Sequence, residues 1–557
     1  MCSSDLGGHR VLEERSGLDP GDDRAGDGGM VPLPRSPEGE LNKTRTVDPR
    51  TSVSGKVKTL AELAPILAAA RRAGRRIAHC HGVFDLMHPG HIVHLREARR
   101  HGDLVVVTVT PDRFVHKGPG RPLFGEGLRL QTLAAVEYVD YVALNEWPTA
   151  VETIRLLKPH VYVKGEDYAD ASADVSGKIQ EEERAVRSAG GRIAFTHGFA
   201  SSSSRIINRT FSGYPDTTQR YLAGLRRRYD ADRVIERLRG LADLRVLVVG
   251  EAILDQYCYC EPVWKSPKEA IVSTRFVSEE SFAGGAAATA NHLAGLCKGV
   301  TLLTAMGPDG SERRFFGSKL LGNVRMRPII TPDRPTVLKR RFVRPTFLSK
   351  MFELQYLVDS PIPPDTEKAF GAIIEEELGR HDMVVVNDFG HGLMTPRLRD
   401  LVSRQRKFLA LNAQSNSANH GYNTVTNYRR ADYVAIDDPE LRLSVRDKYG
   451  RLPDLTARVR KALRARTLLV SLGALGSVVL STDGWHEAPA LAVRIVDRVG
   501  AGDALFAVTS PCAFRGFPTD LLCFVGNCVG ALAVETVCNR DPVDPVTLFK
   551  FLQTLLK

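Results

Sequence analysis

Strand-sized apolar runs alternate with helix-period segments along most of this chain, and that alternation leaves few folds open. The runs Ile77–Val83, Leu104–Val109, Tyr141–Leu144 and Val161–Lys164 are rich in Val and too short for buried helices. Between them Pro89–Arg100, Leu128–Val136 and Ala150–Leu157 place apolar residues at helical spacing. A second series begins at Leu244–Val249. It continues through Val300–Thr304, Met383–Val386, Phe408–Leu411, Tyr433–Ile436, Leu468–Ser471 and Ser477–Leu480. Strands apolar on both faces and separated by helices form parallel sheets covered on both sides. The expected fold class is therefore α/β, with two doubly wound domains.

Composition places the boundaries. Residues 1–55 are rich in Gly, Asp, Ser and Pro without apolar periodicity, and are expected to be a disordered tail. Met30 is an alternative start. The first domain is expected over 56–212, an Arg-rich helical linker over 213–240, and the second domain over 241–557. The net charge of +11 is spread among acids, which suits phosphorylated substrates better than nucleic acid. No apolar run is long enough to span a bilayer. Nine cysteines, an odd number with no C-x-x-C pair, argue against a disulfide framework and against zinc. No secretory signal is visible, so a cytoplasmic location is expected.

Two strand-to-helix turns carry the candidate chemistry. The first reads HGVFDLMHPGHIVHL over His81–Leu95. Pro89 suits the first helical turn, and Gly90 removes a side chain where a ligand can approach the backbone. A helix start of this kind attracts an anion. His88 and His91 flank it, where imidazoles near their pKa can donate to phosphate oxygens and stabilise charge at an attacked phosphorus. The plain alternative is two incidental surface histidines. Lys117, Arg121 and Lys164 each stand beside a glycine in a loop and are candidate phosphate contacts.

These residues resemble the nucleotidyltransferases marked by G-x-F-D-x-x-H-x-G-H. Gly82, Phe84, Asp85, His88, Gly90 and His91 all match. Thr110–Arg113, Lys117–Pro122, Val163–Tyr168 and Ser202–Ile207 resemble the sugar-phosphate branch, the heptose-1-phosphate adenylyltransferases. The resemblance implies a Rossmann-like domain in which a sugar phosphate attacks the α-phosphorus of a nucleoside triphosphate, with Mg²⁺ on the phosphates. His88 and His91 would then be catalytic. Gly82, Phe84, Asp85, Gly90, Lys117, Lys164, Ser202, Ser203 and Ser204 would hold the nucleotide, and Asp167 the sugar. The R-T-x-G-I-S-T-T stretch of glycerol- and choline-phosphate cytidylyltransferases is absent, which favours ATP over CTP.

The second turn reads DRVGAGD over Asp497–Asp503, with a helix following. Its glycines let a phosphate approach the backbone, and Asp503 can take the proton of an attacking hydroxyl. A helix-capping Asp after a Gly turn is the plain alternative. The segment resembles the D-T-x-G-A-G-D motif of the ribokinase-like (PfkB) sugar kinases. That resemblance implies a ribokinase-like domain with a small β lid. It makes Gly473, Gly476, Gly500, Ala501 and Gly502 nucleotide-binding, and Asp255, Gly284 and Gly285 substrate-binding. Asp255 falls at the end of Val248–Tyr257, the expected first strand. Glu440 is implied as a Mg²⁺ ligand.

Departures cluster in the sugar half. Ala288 stands where the family has Asn, His391 where it has Lys, Asn412 opens the stretch where heptose kinases have D-P-K, and Asp437 begins the altered N-x-x-E stretch. Either the acceptor differs from heptose 7-phosphate, or this domain is a non-catalytic ligand-binding or dimerisation module. The domain pairing resembles the bifunctional heptose kinase/adenylyltransferases of ADP-heptose synthesis, in reversed order. ATP, sugar phosphates and a second copy of the chain are the expected partners, without nucleic acid or membrane.

Overall fold

The computed structural model describes residues 55–115, 117–118, 120–165, 178–196, 214–265, 269 and 271–557, all within one compact unit. The first sheet holds β1 (Ile77–Gly82), β2 (Leu104–Val109), β3 (Tyr141–Leu144), β4 (Val161–Gly165) and β5 (Arg192–Thr196). Its order is β3-β2-β1-β4-β5, parallel throughout. Every residue of β2 is buried, as expected for a strand covered on both faces. The chain builds outward from β1 on one side and then crosses to β4 on the other. That reversal opens a crevice at the C-terminal ends of β1 and β4. The edge strand β5 and the helix Lys178–Ser188 before it were not foreseen. The helix is mostly charged and buries only Glu182 and the apolar Ile179, Ala185 and Val186, so its apolar signal is thin.

The remaining strands form two sheets. They are β6 (Arg245–Gly250), β7 (Ala252–Lys265), β8 (Val272–Gly285), β9 (Gly299–Met306), β10 (Val324–Ile330), β11 (Val337–Arg344) and β12 (Ser349–Tyr356). Then come β13 (Met383–Asp388), β14 (Phe408–Ala413), β15 (Tyr433–Asp437), β16 (Thr467–Ser471), β17 (Ser477–Ser481) and β18 (Gly484–Ala488). The large sheet runs β10-β9-β6-β13-β14-β15-β16-β17-β18. It is parallel as far as β16, and its last two strands return antiparallel. Two apolar cores cover its faces. The small sheet runs β12-β11-β7-β8.

The expected strand Val248–Tyr257 is in fact two. β6 ends at Gly250, where a Cβ would sit 2.0 Å from the Asn387 carbonyl oxygen. The chain then turns into β7 of the small sheet, so Asp255 belongs to that sheet and not to the first strand. The stretch expected as a linker holds two helices, Asp216–Arg228 and Ala231–Arg239, the second capped by Asp230. Leu222, Leu225, Val234, Ile235 and Leu238 join the large core. Among the described residues no helix is long and apolar enough to cross a membrane.

Candidate active sites

At the end of β1, Phe84 adopts a left-handed φ of 51° and turns the chain toward the helix Pro89–Arg99. A Cβ on Gly82 would lie 3.2 Å from the Phe84 ring, so glycine lets that ring fold back. His88 is the helix N-cap, its Nδ1 accepting from the Gly90 amide at 3.1 Å. One amide of the expected anion site is thus occupied by His88 itself. An accepting Nδ1 places the ring proton on Nε2, which remains a donor. The His91 ring lies 3.9 Å from that of His88, centroid to centroid, and its Nδ1 is buried without a partner. Burial, together with His88, His94 and Lys117, brings His91 down to about 3. Burial lowers His88 as well. The expectation of histidines near their pKa is corrected: burial favours the neutral form of both at pH 7, in which each ring keeps one N–H to donate.

The loop beyond β2 is tied to this turn. Asp85 accepts from Arg121 Nη1 at 3.0 Å, from the Leu123 amide at 2.6 Å and from the Phe124 amide at 3.1 Å. The carboxylate expected at the nucleotide is engaged by this loop. Lys117 is in that loop, and burial with the nearby Arg121 charge brings its ammonium down to about 8. Lys164 faces Glu182 at 3.0 Å, so its charge is already matched; phosphate would have to compete with a carboxylate. Asp167, Ser202, Ser203 and Ser204 lie outside the described residues. Sequence reasoning missed Arg129, which is buried and donates to the carbonyls of Phe124 at 2.9 Å, Val83 at 2.5 Å and Thr110 at 2.9 Å. It also pairs with Asp112. Its one signal was a lone Arg in the apolar pattern of Leu128–Val136.

In the larger domain a cavity of about 560 Å³ opens at the C-terminal ends of β14, β15 and β16, under the small sheet. It brings together Asp255, Gly285, Glu440, Gly473, Gly476, Gly500, Ala501, Gly502 and Asp503. Gly500 has φ 88°, and a Cβ there would lie 2.0 Å from Asn539 Oδ1, while Gly502 is open. Asp503 sits in the first turn of the helix Ala501–Phe514. Its Oδ1 accepts from Asn387 Nδ2 at 3.2 Å and Gln414 Nε2 at 3.0 Å. Burial, with the Asp255 charge adding to it, raises Asp503 to about 7. A carboxyl there is poised to exchange a proton at neutral pH.

Gly284 does not line the cavity. A Cβ there would fall 1.9 Å from Asp255 Oδ2, so glycine makes room for a carboxylate that pairs with Arg341. Lys339 and Arg341, both on β11, also line the cavity. They are cations that the sequence reading did not single out. His391 is buried, with both ring nitrogens unpartnered, and does not reach the cavity. Asn412 reaches it, donating to the Ala435 carbonyl at 2.8 Å. Ala288 is buried inside the helix Ala286–Ala294. Asp437 and Glu440 form a reciprocal capping box at the start of the helix Asp438–Val445. Burial and Asp437 raise Glu440 to about 8.

Residues 79–209 match the cytidylyltransferase-like family, and residues 397–544 match the pfkB family of carbohydrate kinases. The bifunctional protein HldE of Trichlorobacter lovleyi is 40% identical over 166 residues, 29% of this chain and 32% of that protein. HldE of Methylococcus capsulatus is 47% identical over 119 residues, 21% of this chain and 25% of that protein. The chain thus matches about a third of the length of the first of these relatives. Escherichia coli phosphofructokinase-2 in complex with fructose-6-phosphate aligns with 56% of this chain and 99% of its own, at 16% identity and a TM-score of 0.44. Arabidopsis thaliana ribokinase complexed with ribose and ATP aligns over 56% and 99%, at 15% identity and 0.42. Within this chain the match to the cytidylyltransferase-like family precedes the match to the pfkB family.

Proposed function

We propose that the protein is a bifunctional sugar-nucleotide enzyme acting on heptose-like sugars. The second domain phosphorylates the sugar with ATP, and the first transfers AMP from ATP to a sugar 1-phosphate, releasing pyrophosphate. The observation that carries this reading is the pair of helix starts, each in a family-matched domain. One bears two neutral imidazoles and the other a carboxyl held near 7.

In phosphoryl transfer, Asp503 takes the proton of the sugar hydroxyl as that oxygen bonds to the γ-phosphorus and ADP leaves. The amides of Ala501 and Gly502 stand at the helix start, where transferred charge is received. Lys339 and Arg341 supply positive charge at the lid edge, offsetting the lysines missing at His391 and Gln414. Mg²⁺ arriving on the triphosphate would neutralise its oxygens. Such an ion needs one or two carboxylates. Glu440 and Asp437 fit that need, because two crowded carboxyls with raised pKa values are relieved by a cation. In nucleotidyl transfer, a sugar phosphate oxygen attacks the α-phosphorus and the bond to the β-phosphate oxygen breaks. His88 Nε2 and His91 donate to the oxygens that gain charge.

Two further points belong to this reading. The exposed Val272, Phe276 and Phe352 of the small sheet support pairing with a second copy of the chain. The buried unpaired thiols from Cys80 to Cys538 support a reducing, cytoplasmic setting.

The test is a matrix of ATP or CTP against heptoses and their 7- and 1-phosphates, scoring ADP and pyrophosphate separately. His91→Ala should abolish pyrophosphate release alone, and Asp503→Asn ADP release alone. Pyrophosphate release that survives His91→Ala refutes the assignment of the first site.

A further inference from the structure

One segment of the larger domain touches both sites. Ala492, Ile495 and Arg498 of the stretch Ala490–Val499 line the cavity that holds Asp503. Residues between them face the other way. Arg494 and Val496 line a separate cavity of about 400 Å³ together with Gly118, Gly120 and Arg121 of the first domain. A Cβ on Gly120 would rest 3.4 Å from Val493 Cγ1.

A second contact reinforces the first. The Phe551 ring, on the helix Pro545–Leu556, occupies the space a side chain at Gly118 would need. A Cβ there would come within 2.1 Å of Cδ2 and 2.7 Å of Cε2. Gly118 also has φ 97°, a conformation open mainly to glycine. The loop seated on this ring carries Lys117 and Arg121. Arg121 in turn holds Asp85 at 3.0 Å, three residues before His88 in the same turn.

We propose that Phe551 and Val493 of the larger domain are positioning residues for the first site, seating the Gly118–Pro122 loop so that Lys117 and Arg121 keep their places beside Asp85 and His91. The role rests on the nucleotidyl-transfer reading above. Neither residue touches a reacting atom; each acts through the loop. The sites are joined by direct packing across the domain boundary, and a first domain without its partner has a loosened loop.

The test is a double-mutant cycle in the full chain, with Gly118→Ala, Phe551→Ala and the two combined. Gly118→Ala drives a methyl into the ring. It should raise the KM for nucleotide in pyrophosphate release about tenfold, with a smaller change in kcat. Phe551→Ala removes the ring atoms that obstruct it and should restore at least threefold of that loss in the double variant. Hydrogen exchange at residues 117–124 should follow the same pattern, fast in Gly118→Ala and slower again in the double variant. Sugar-dependent ADP release in the same samples reports the folded larger domain. Strictly additive effects on exchange overturn the proposal, because a purely local disturbance of the loop is blind to residue 551. If the wild type releases no pyrophosphate, the nucleotidyl-transfer reading falls, and the exchange cycle still decides whether Phe551 seats the loop. Val493→Gly, at a half-exposed position, should also speed exchange in the loop; unchanged exchange would remove Val493 from the proposal.

Discussion

Replacing Asp503 with Asn should make the protein more stable and less active at once, and pH separates the two effects. Burial lifts this carboxyl from its ordinary 3.8 to about 7. A difference of about 3 units at about 1.4 kcal/mol each means that ionising it in the fold costs about 4 kcal/mol. The sign follows from proton binding. Between pH 3.8 and about 7 the folded state holds more protons than the unfolded one, so stability falls as pH rises through that window. Above it the full cost remains. Asp503→Asn keeps an oxygen that can accept from Asn387 and Gln414 but never ionises. At pH 8 the variant should gain up to about 4 kcal/mol, which is roughly 8 °C in Tm for a domain of this size. Near pH 4 the two proteins should converge. Sugar-dependent ADP release should fall by about 10²–10⁴. Wild-type activity should drop tenfold per unit below about pH 7. Thermal melts from pH 4 to 8, paired with ADP release, give the answer. Equal melting temperatures at pH 8 would refute the buried-charge argument. Activity flat from pH 5 to 8 would refute Asp503 as the base.

Other substitutions probe the surrounding geometry. Gly284→Ala places a Cβ 1.9 Å from Asp255 Oδ2 and should separate Asp255 from Arg341. The KM for sugar in ADP release should rise by tenfold or more, with pyrophosphate release unchanged. Lys339→Met removes a cation that lowers the pKa of Asp503. The acid limb of ADP release should move to higher pH, and sugar phosphate affinity should fall about tenfold. Arg129→Met leaves three carbonyls and Asp112 without their donor. By the usual cost of leaving buried acceptors unpaired it should destabilise the first domain by about 3 kcal/mol, read as an earlier first transition in calorimetry with the larger domain's transition unmoved.

Much of this architecture was legible because a parallel strand is apolar on both faces. Leu104–Val109 and Met383–Val386 stand out against any background, and structure adds nothing to the first and two residues to the second. Strands with one exposed face did not announce themselves. The residues of β8 alternate apolar and polar irregularly and are exposed over most of their length, so they look like a loop. Both helix starts were visible because Pro89 and Gly500–Gly502 are local requirements of the backbone, written at the position where they act.

The roles of the charged groups were not visible, and the reason is distance along the chain. Nothing near Asp85 in sequence signals Arg121 and the two amides that close around it from 36 to 39 residues away. Nothing near Gly284 in sequence signals that Asp255 fills the space of its missing side chain. Lys339 and Arg341 sit in an ordinary basic strand, and only the pairing of β11 with β7 brings them over Asp503. Sequence by itself determined where the backbone bends and which segments are buried, since both are set by neighbours a few residues apart. Tertiary structure alone decided which charges meet and which proton is held near neutrality, since burial and Coulomb energy depend on separation in space.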